Sequence, residues 1–219
     1  MTDIVLLQTW GLSKNAGSGD VRRKYLELTA QEKFQKVLLD DEHLQKEFTR
    51  VHEAYVNLLQ QYSEEGLDSD DTYYPPEQVA KFMANSGIYH FLKENYLKAG
   101  EKLQQAYKTN QKDVLVLLYL GLFLMKKKSY VPAEKYFLDA ANLDPNNEDV
   151  MFYLGENYAR AGNYKKALYM FKRVAVTNPA RKDINRKIKD ASKKLGQKGS
   201  GGESLLKKIS NIFSSPRGQ

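Results

Sequence analysis

The chain contains no cysteine. That single absence excludes disulfides, thiolate zinc sites and cysteine nucleophiles, and it favours a reducing, cytoplasmic setting. Histidine is scarce as well, and His43, His52 and His90 form no metal-ligand spacing. There is no P-loop, no Gly-rich dinucleotide fingerprint and no HExxH; the Gly-Ser-Gly-Asp at 17–20 is a lone glycine pair ahead of a helix. The Asp40-Asp41 pair falls at a helix start, where acidic residues suit the dipole and need no catalytic role. These gaps describe a protein that is not an enzyme and carries no cofactor or metal.

Membrane-spanning runs are missing too. Val114 to Met125 is apolar throughout, but its twelve residues fall short of the roughly 18–20 that cross a bilayer, so a buried helix is expected there. The amino terminus, MTDIVLLQTWGLSK, lacks the basic region and cleavage site of a signal peptide. With 42% hydrophobic and 11% aromatic residues in 219, the chain can bury one sizeable core or two small ones. Charge is split unevenly about Pro75-Pro76. Residues 1–74 hold 8 Lys/Arg against 14 Asp/Glu, whereas residues 75–195 hold 22 against 12. An acidic front and a basic back suggest two units.

What is present is a repeat with a period of 34. Gly87, Gly121 and Gly155 recur at that offset, as do Tyr96, Tyr130 and Tyr164, then Ala99, Ala133 and Ala167. The register continues through Leu103, Phe137 and Phe171, and through Gln111, Pro145 and Pro179. Each copy reads as an apolar helix, a short turn such as RAGNY, and an amphipathic helix halted near a proline. Small residues at fixed positions let the helices approach closely.

The phrases GLFLMKKKSYVPAEKYFLDAANLDP and GENYARAGNYKKALYMFKRVAVTNP resemble the tetratricopeptide repeat family, over about residues 80 to 181. The resemblance implies a helical solenoid whose concave face is lined by the first helix of each repeat. It places Ala84, Ile88 and Phe91, Leu118, Leu122 and Met125, and Phe152 and Glu156 on that face as a protein-binding groove. Four or five buried Leu or Phe side chains, each worth roughly 1.5–3 kcal/mol, could anchor a helix or extended peptide there. Contact of the same side chains with a neighbouring repeat or with the front half is the competing reading. Some relatives clamp the carboxylate end of chaperone tails; the matching positions here are Ala84, Ile88, Tyr119, Asp149 and Tyr153, so that clamp is absent. Beyond the repeats, Ile184, Ile188, Ala191 and Leu195 are spaced as one face of a capping helix.

Residues 3 to 60 resemble the J-domain of DnaK-type co-chaperones, through Gly11-Leu12-Ser13-Lys14-Asn15-Ala16, Lys24-Tyr25, and Phe48 with Glu53-Ala54-Tyr55. The family acts through a His-Pro-Asp loop, and about Lys33-Phe34-Gln35 stand in its place. The resemblance therefore implies a J-like fold reused as a docking module.

The expected organisation is all-α: a J-like helical domain at 1–62, an acidic linker at 63–76, three repeats and a capping helix at 77–195, and a flexible tail at 196–219. In the tail, Leu205, Leu206, Ile209, Ile212 and Phe213 share one face of a short helix beside Lys207 and Lys208. Docking of the tail or the J-like domain onto the chain itself, docking on another protein, and contact with an anionic membrane surface all stay open for it. The basic clusters come with no nucleic-acid module, so nucleic acid is set aside, and attraction to the acidic front half or to an acidic protein partner is the better reading. The functional expectation is a cytoplasmic adaptor or scaffold, with a co-chaperone acting through the J-like domain as the alternative.

Overall fold

The computed structural model describes residues 4–36, 38–64 and 74–197, and the regular structure within them is helical. By internal contact the chain divides into two compact units, Met1–Asp144 and Pro145–Gln219. The tail residues Leu205, Leu206, Ile209, Ile212 and Phe213 lie outside the described residues, as does most of the acidic linker.

In the first unit, α1 (Ile4–Thr9) leads to α2 (Ser18–Thr29) and α3 (Glu42–Glu64), with short 3₁₀ turns at Glu32–Phe34 and Leu38–Asp40 between the last two. Asp20 fixes the start of α2 by accepting the Gly17 N–H at 3.0 Å, which satisfies a donor that the helix leaves without a partner. Leu7, Trp10, Val21, Tyr25, Leu58 and Tyr62 form the core among these helices. Phe82, which belongs to the next helix, packs against the same core.

The repeats follow as α4 (Pro76–Leu92) with α5 (Tyr96–Thr109), and α6 (Val114–Lys126) with α7 (Tyr130–Leu143). The recurring glycine of each copy lies where two helices touch. A Cβ on Gly87 would fall 2.7 Å from Leu103, and one on Gly121 would fall 2.6 Å from the Phe137 ring. Asp113 caps α6 by accepting from the N–H groups of Leu115 and Val116, at 3.0 and 3.1 Å.

The turn that closes each first helix also repeats. Glu94, Lys128 and Gly162, 34 residues apart, all have positive φ, at 58°, 59° and 77°. The next residue then donates back to the carbonyl five positions earlier: Asn95 to His90, Ser129 to Leu124, and Asn163 to Tyr158. This is the left-handed helix stop that glycine adopts most easily. Only the third copy has glycine there.

In the second unit, α8 (Glu148–Arg160) pairs with α9 (Tyr164–Thr177), and a Cβ on Gly155 would lie 2.7 Å from Phe171. A further helix, α10, covers 184–197 and buries Ile184 and Ala191. The twelve-residue apolar stretch is α6. Eight of its side chains and backbone positions are buried, among them Leu117, Leu120 and Gly121, so its all-round apolarity matches burial on several sides. No helix among the described residues is long and apolar enough to cross a membrane.

Candidate protein-interaction face

Within the first unit, α4 presents two faces with different work. Ala84, Ile88 and Phe91 are all at most 6% exposed, and Phe91 meets Tyr96 and Tyr119 edge-on, both with centroids 5.4 Å apart. On the opposite side, Phe82, Asn85 and Tyr89 meet α2 and α3. The Phe82 ring stacks with Tyr55 at 5.7 Å and with Tyr25 at 6.1 Å. Asn85 donates to Thr29 Oγ1 at 2.9 Å, and Tyr89 donates to Glu53 at 3.2 Å while stacking on His52 at 4.4 Å. Lys93 completes the line with an ion pair to Glu53 at 3.0 Å.

The period explains this line. Thirty-four residues on from Phe82, Asn85 and Tyr89 stand Val116, Tyr119 and Phe123 of α6. There Tyr119 meets Phe91 of the first repeat, and the Phe123 ring fills the space beside Gly100 of α5. So α2 and α3 stand against the first repeat where the first repeat stands against the second. They take the place of a preceding repeat and cover an edge that would otherwise be bare.

The connection between α2 and α3 reaches further, over positions that the tetratricopeptide pattern puts on the concave face. Leu38 is 1% exposed, and its backbone N–H donates to the Tyr119 hydroxyl at 3.2 Å. Leu26, Thr29, Ala30 and Gln35 look across a gap of about 50 Å³ at Lys81, Ala84, Asn85, Asp113 and Leu115. Lys33-Phe34-Gln35, matched by sequence to the His-Pro-Asp position, lies in this connection. Phe34 is buried edge-on against Phe48 at 5.5 Å, and Lys33 pairs with Glu47.

Leu118, Leu122 and Met125 of α6 are buried, at 2%, 4% and 8% exposure. In the second unit Phe152 and Glu156 are buried as well. The Arg181 guanidinium lies over the Phe152 ring at 4.0 Å and bridges Glu148 and Asp149, at 2.5 and 3.0 Å. Burial works against the charged guanidinium, but the hydrogen bonds to Glu148 and Asp149 outweigh it, and its pKa is raised. Glu156 pairs with Lys187 of α10 at 2.7 Å and with Arg160 at 3.9 Å. Beside it a cleft of about 210 Å³ opens between α8, α9 and α10, rimmed by Arg160, Lys187, Asp190 and Lys194. All eight side chains of the expected groove are at most 8% exposed; Lys81 and Leu115 reach solvent in the first unit, and Arg160 and Lys194 in the second. The offset of 34 could have located the Phe82, Asn85 and Tyr89 line from sequence. Nothing local marks Arg181 as the cover of Phe152.

His52 is buried where α2, α3 and α4 meet. Burial first, then the nearby His90, push its pKa down to about 4, with Glu53 opposing, and Nδ1 shares a hydrogen with the Tyr25 hydroxyl at 2.7 Å. Burial likewise pushes the Tyr25 phenol well up. The cluster is neutral, aromatic and enclosed, which suits a structural joint. Among the described residues no group of three or more His, Asp or Glu is placed to hold a metal ion.

No protein-family model matches the chain, and no curated protein matches it. Solved structures do. The first TPR domain of human RPAP3 superposes with a TM-score of 0.54 at 14% identity, covering 57% of this chain and 98% of that one. The first TPR of Spaghetti (RPAP3), bound to the HSP90 peptide SRMEEVD, gives 0.53 at 15% identity over 55% and 95%. The MamA protein gives 0.54 at 16% identity over 92% and 98%. At these identities the likeness is one of fold: a TPR-like, all-helical solenoid.

Proposed function

We propose that the chain is a non-enzymatic protein-interaction adaptor that holds a polypeptide segment of its partner on the inward face of its helical repeats. The observation that carries this reading is the contact of Leu38 with Tyr119: the first two repeats hold a stretch of polypeptide there by its backbone N–H. The peptide-bound neighbour of the same fold supports it, since its ligand SRMEEVD is short and acidic. Residues 145–219 carry 16 Lys/Arg against 6 Asp/Glu, so an acidic segment of the partner would be drawn to the second unit. The lack of cysteine suits a reducing, cytoplasmic site of action.

The test is quantitative capture of partners by the full chain and by variants at the open edge. Leu115→Asp and Lys81→Glu change accessible positions, whereas charge at Leu118 or Leu122 would be buried and would report folding instead. The expected result is at least a fivefold drop in specifically retained partner for Leu115→Asp, with the helical content unchanged. Identical recovery by all variants would overturn the reading.

The rival, a co-chaperone acting through the first three helices, requires the α2–α3 connection to face outward. Here Phe34 and Leu38 are buried and Leu38 is bonded to Tyr119. A single-turnover ATPase assay with a DnaK-type chaperone is expected to show no stimulation.

A further inference from the structure

We infer that the cleft between α8, α9 and α10 is a subsite for an acidic residue of the partner's segment, taken together with an apolar side chain next to it. That subsite rests on the adaptor reading, and it gives the partner's segment a chemistry and a place in the second unit.

The period of 34 shows how the cleft is made. Thirty-four residues on from Glu156 and Arg160 of α8 stand Asp190 and Lys194 of α10, so two neighbouring helices bring the same pair of charges to one opening. Earlier copies have Ile88 and Leu122 where Glu156 and Asp190 stand, so charge enters this register only at the last repeat. Glu156 takes its short ion pair from Lys187, at 2.7 Å. Arg160 comes no nearer to Glu156 than 3.9 Å, and its side chain is 57% exposed. Lys194 has no carboxylate partner among the described residues; its ammonium lies over the Tyr164 ring, 5.6 Å from the centroid. In the first unit Lys126 lies over Tyr96 at the same distance, two periods earlier, so this perch belongs to the repeat. Neither Arg160 nor Lys194 is held by a carboxylate at hydrogen-bond distance, and the Arg160 fork suits a planar carboxylate from outside.

The walls supply the apolar half. Ala159 and Tyr164 are half-buried there, with Phe171 and Ala191 closed behind them at 0% and 3% exposure. A cavity of about 150 Å³ holds benzene, so the 210 Å³ here takes one Leu or Phe side chain. Asp190 adds an acceptor at the rim for a backbone N–H of the segment. Residues 198–219 of this chain, with 4 Lys/Arg against 1 Glu, have the wrong sign for the two cations.

The probe is the end-blocked peptide Gly-Leu-Glu-Gly, with Gly-Leu-Gln-Gly as its neutral counterpart, titrated into the isotope-labelled full chain and followed by amide chemical shifts in NMR. We expect saturable shifts at Ala159, Arg160, Tyr164 and Lys194 with the acidic peptide, and at least fivefold weaker binding of the neutral one. Arg160→Gln combined with Lys194→Gln should lose the same factor. Lys165→Gln, at an exposed position of α9 outside the cleft, should keep wild-type affinity. Equal binding of the two peptides would overturn the inference by making the cleft an apolar slot, and equal losses for Lys165→Gln and the double variant would overturn it in favour of diffuse attraction. Shifts of the same amides on Ile212→Ser or on dilution, with no peptide present, would overturn it too, the occupant then being the chain's own tail or a second copy. Partner capture that falls for Leu115→Asp alone, with no cleft shifts, overturns this subsite and leaves the adaptor reading standing; capture unaltered by every variant overturns both. Where a variant fails to fold, the two peptides on the unaltered chain decide.

Discussion

At the residue scale, the repeat is enforced by close approach and by one backbone angle. A methyl on Gly121 would sit 2.6 Å from the Phe137 ring, which is 0% exposed and has no room to retreat. Gly121→Ala is therefore expected to cost about 1–3 kcal/mol, the usual range for overpacking, as measured by urea unfolding. The opposite sign is expected about two turns later, at Lys128. Lys128 holds φ of 59° where the third repeat has Gly162, and a side chain in that region costs about 1–2 kcal/mol. Glycine recovers part of this and loses some to the greater freedom of the unfolded chain, so Lys128→Gly is expected to stabilise by about 0.5–1 kcal/mol. An unchanged or lower urea midpoint would contradict that account.

At the scale of elements, the joint between α2, α3 and α4 is sensitive to acid. His52 faces Tyr25 from α2, Glu53 and Tyr55 on its own helix, and Tyr89 and His90 from α4. Its folded pKa of about 4 lies below the ordinary 6.5, so the fold prefers the neutral ring. The stability this contributes is complete above pH 6.5 and is lost as the pH falls towards 4. Between pH 7 and 5 the loss should be on the order of 1–2 kcal/mol. His90 is shifted the same way by burial, with Lys98 and Lys102 adding to it, so a part of the slope belongs to that ring. His52→Gln should flatten the dependence of the urea midpoint between pH 7 and 5, a window above the carboxylates. A slope equal to wild type would remove His52 from the account.

At the scale of the whole molecule, the two compact units rely on different locks. In Pro145–Gln219 the cover of Phe152 is Arg181, which also satisfies Glu148 and Asp149. Removing it leaves two partly buried carboxylates without their cation. Its side chain is 12% exposed, so solvent relieves little of the loss, and Arg181→Ala should cost about 1–3 kcal/mol. Hydrogen exchange should quicken through α8, α9 and α10 and stay near wild type in α1 to α3. Uniform loss of protection along the chain would mean that the two units do not open separately.

The sequence by itself determined the all-helical repeat, because glycine, tyrosine and alanine at a fixed offset of 34 are local demands of helix pairing that every copy must meet. It also placed α10, whose spacing at Ile184, Ile188 and Ala191 is read directly. The resemblance to a solenoid implies that Ala84, Leu118 and Phe152 face inward, and the structure shows all three buried. What covers them is decided by contacts between residues far apart in the chain, and only the tertiary structure supplies those. Leu38 reaches Tyr119 across 81 positions, and Asn85 reaches Thr29 across 56. A helical period records which side of a helix is apolar; it holds no information about which distant segment lies against that side. The front helices packing against the first repeat, and the α2–α3 connection reaching Tyr119, are consequences of how this chain closes on itself.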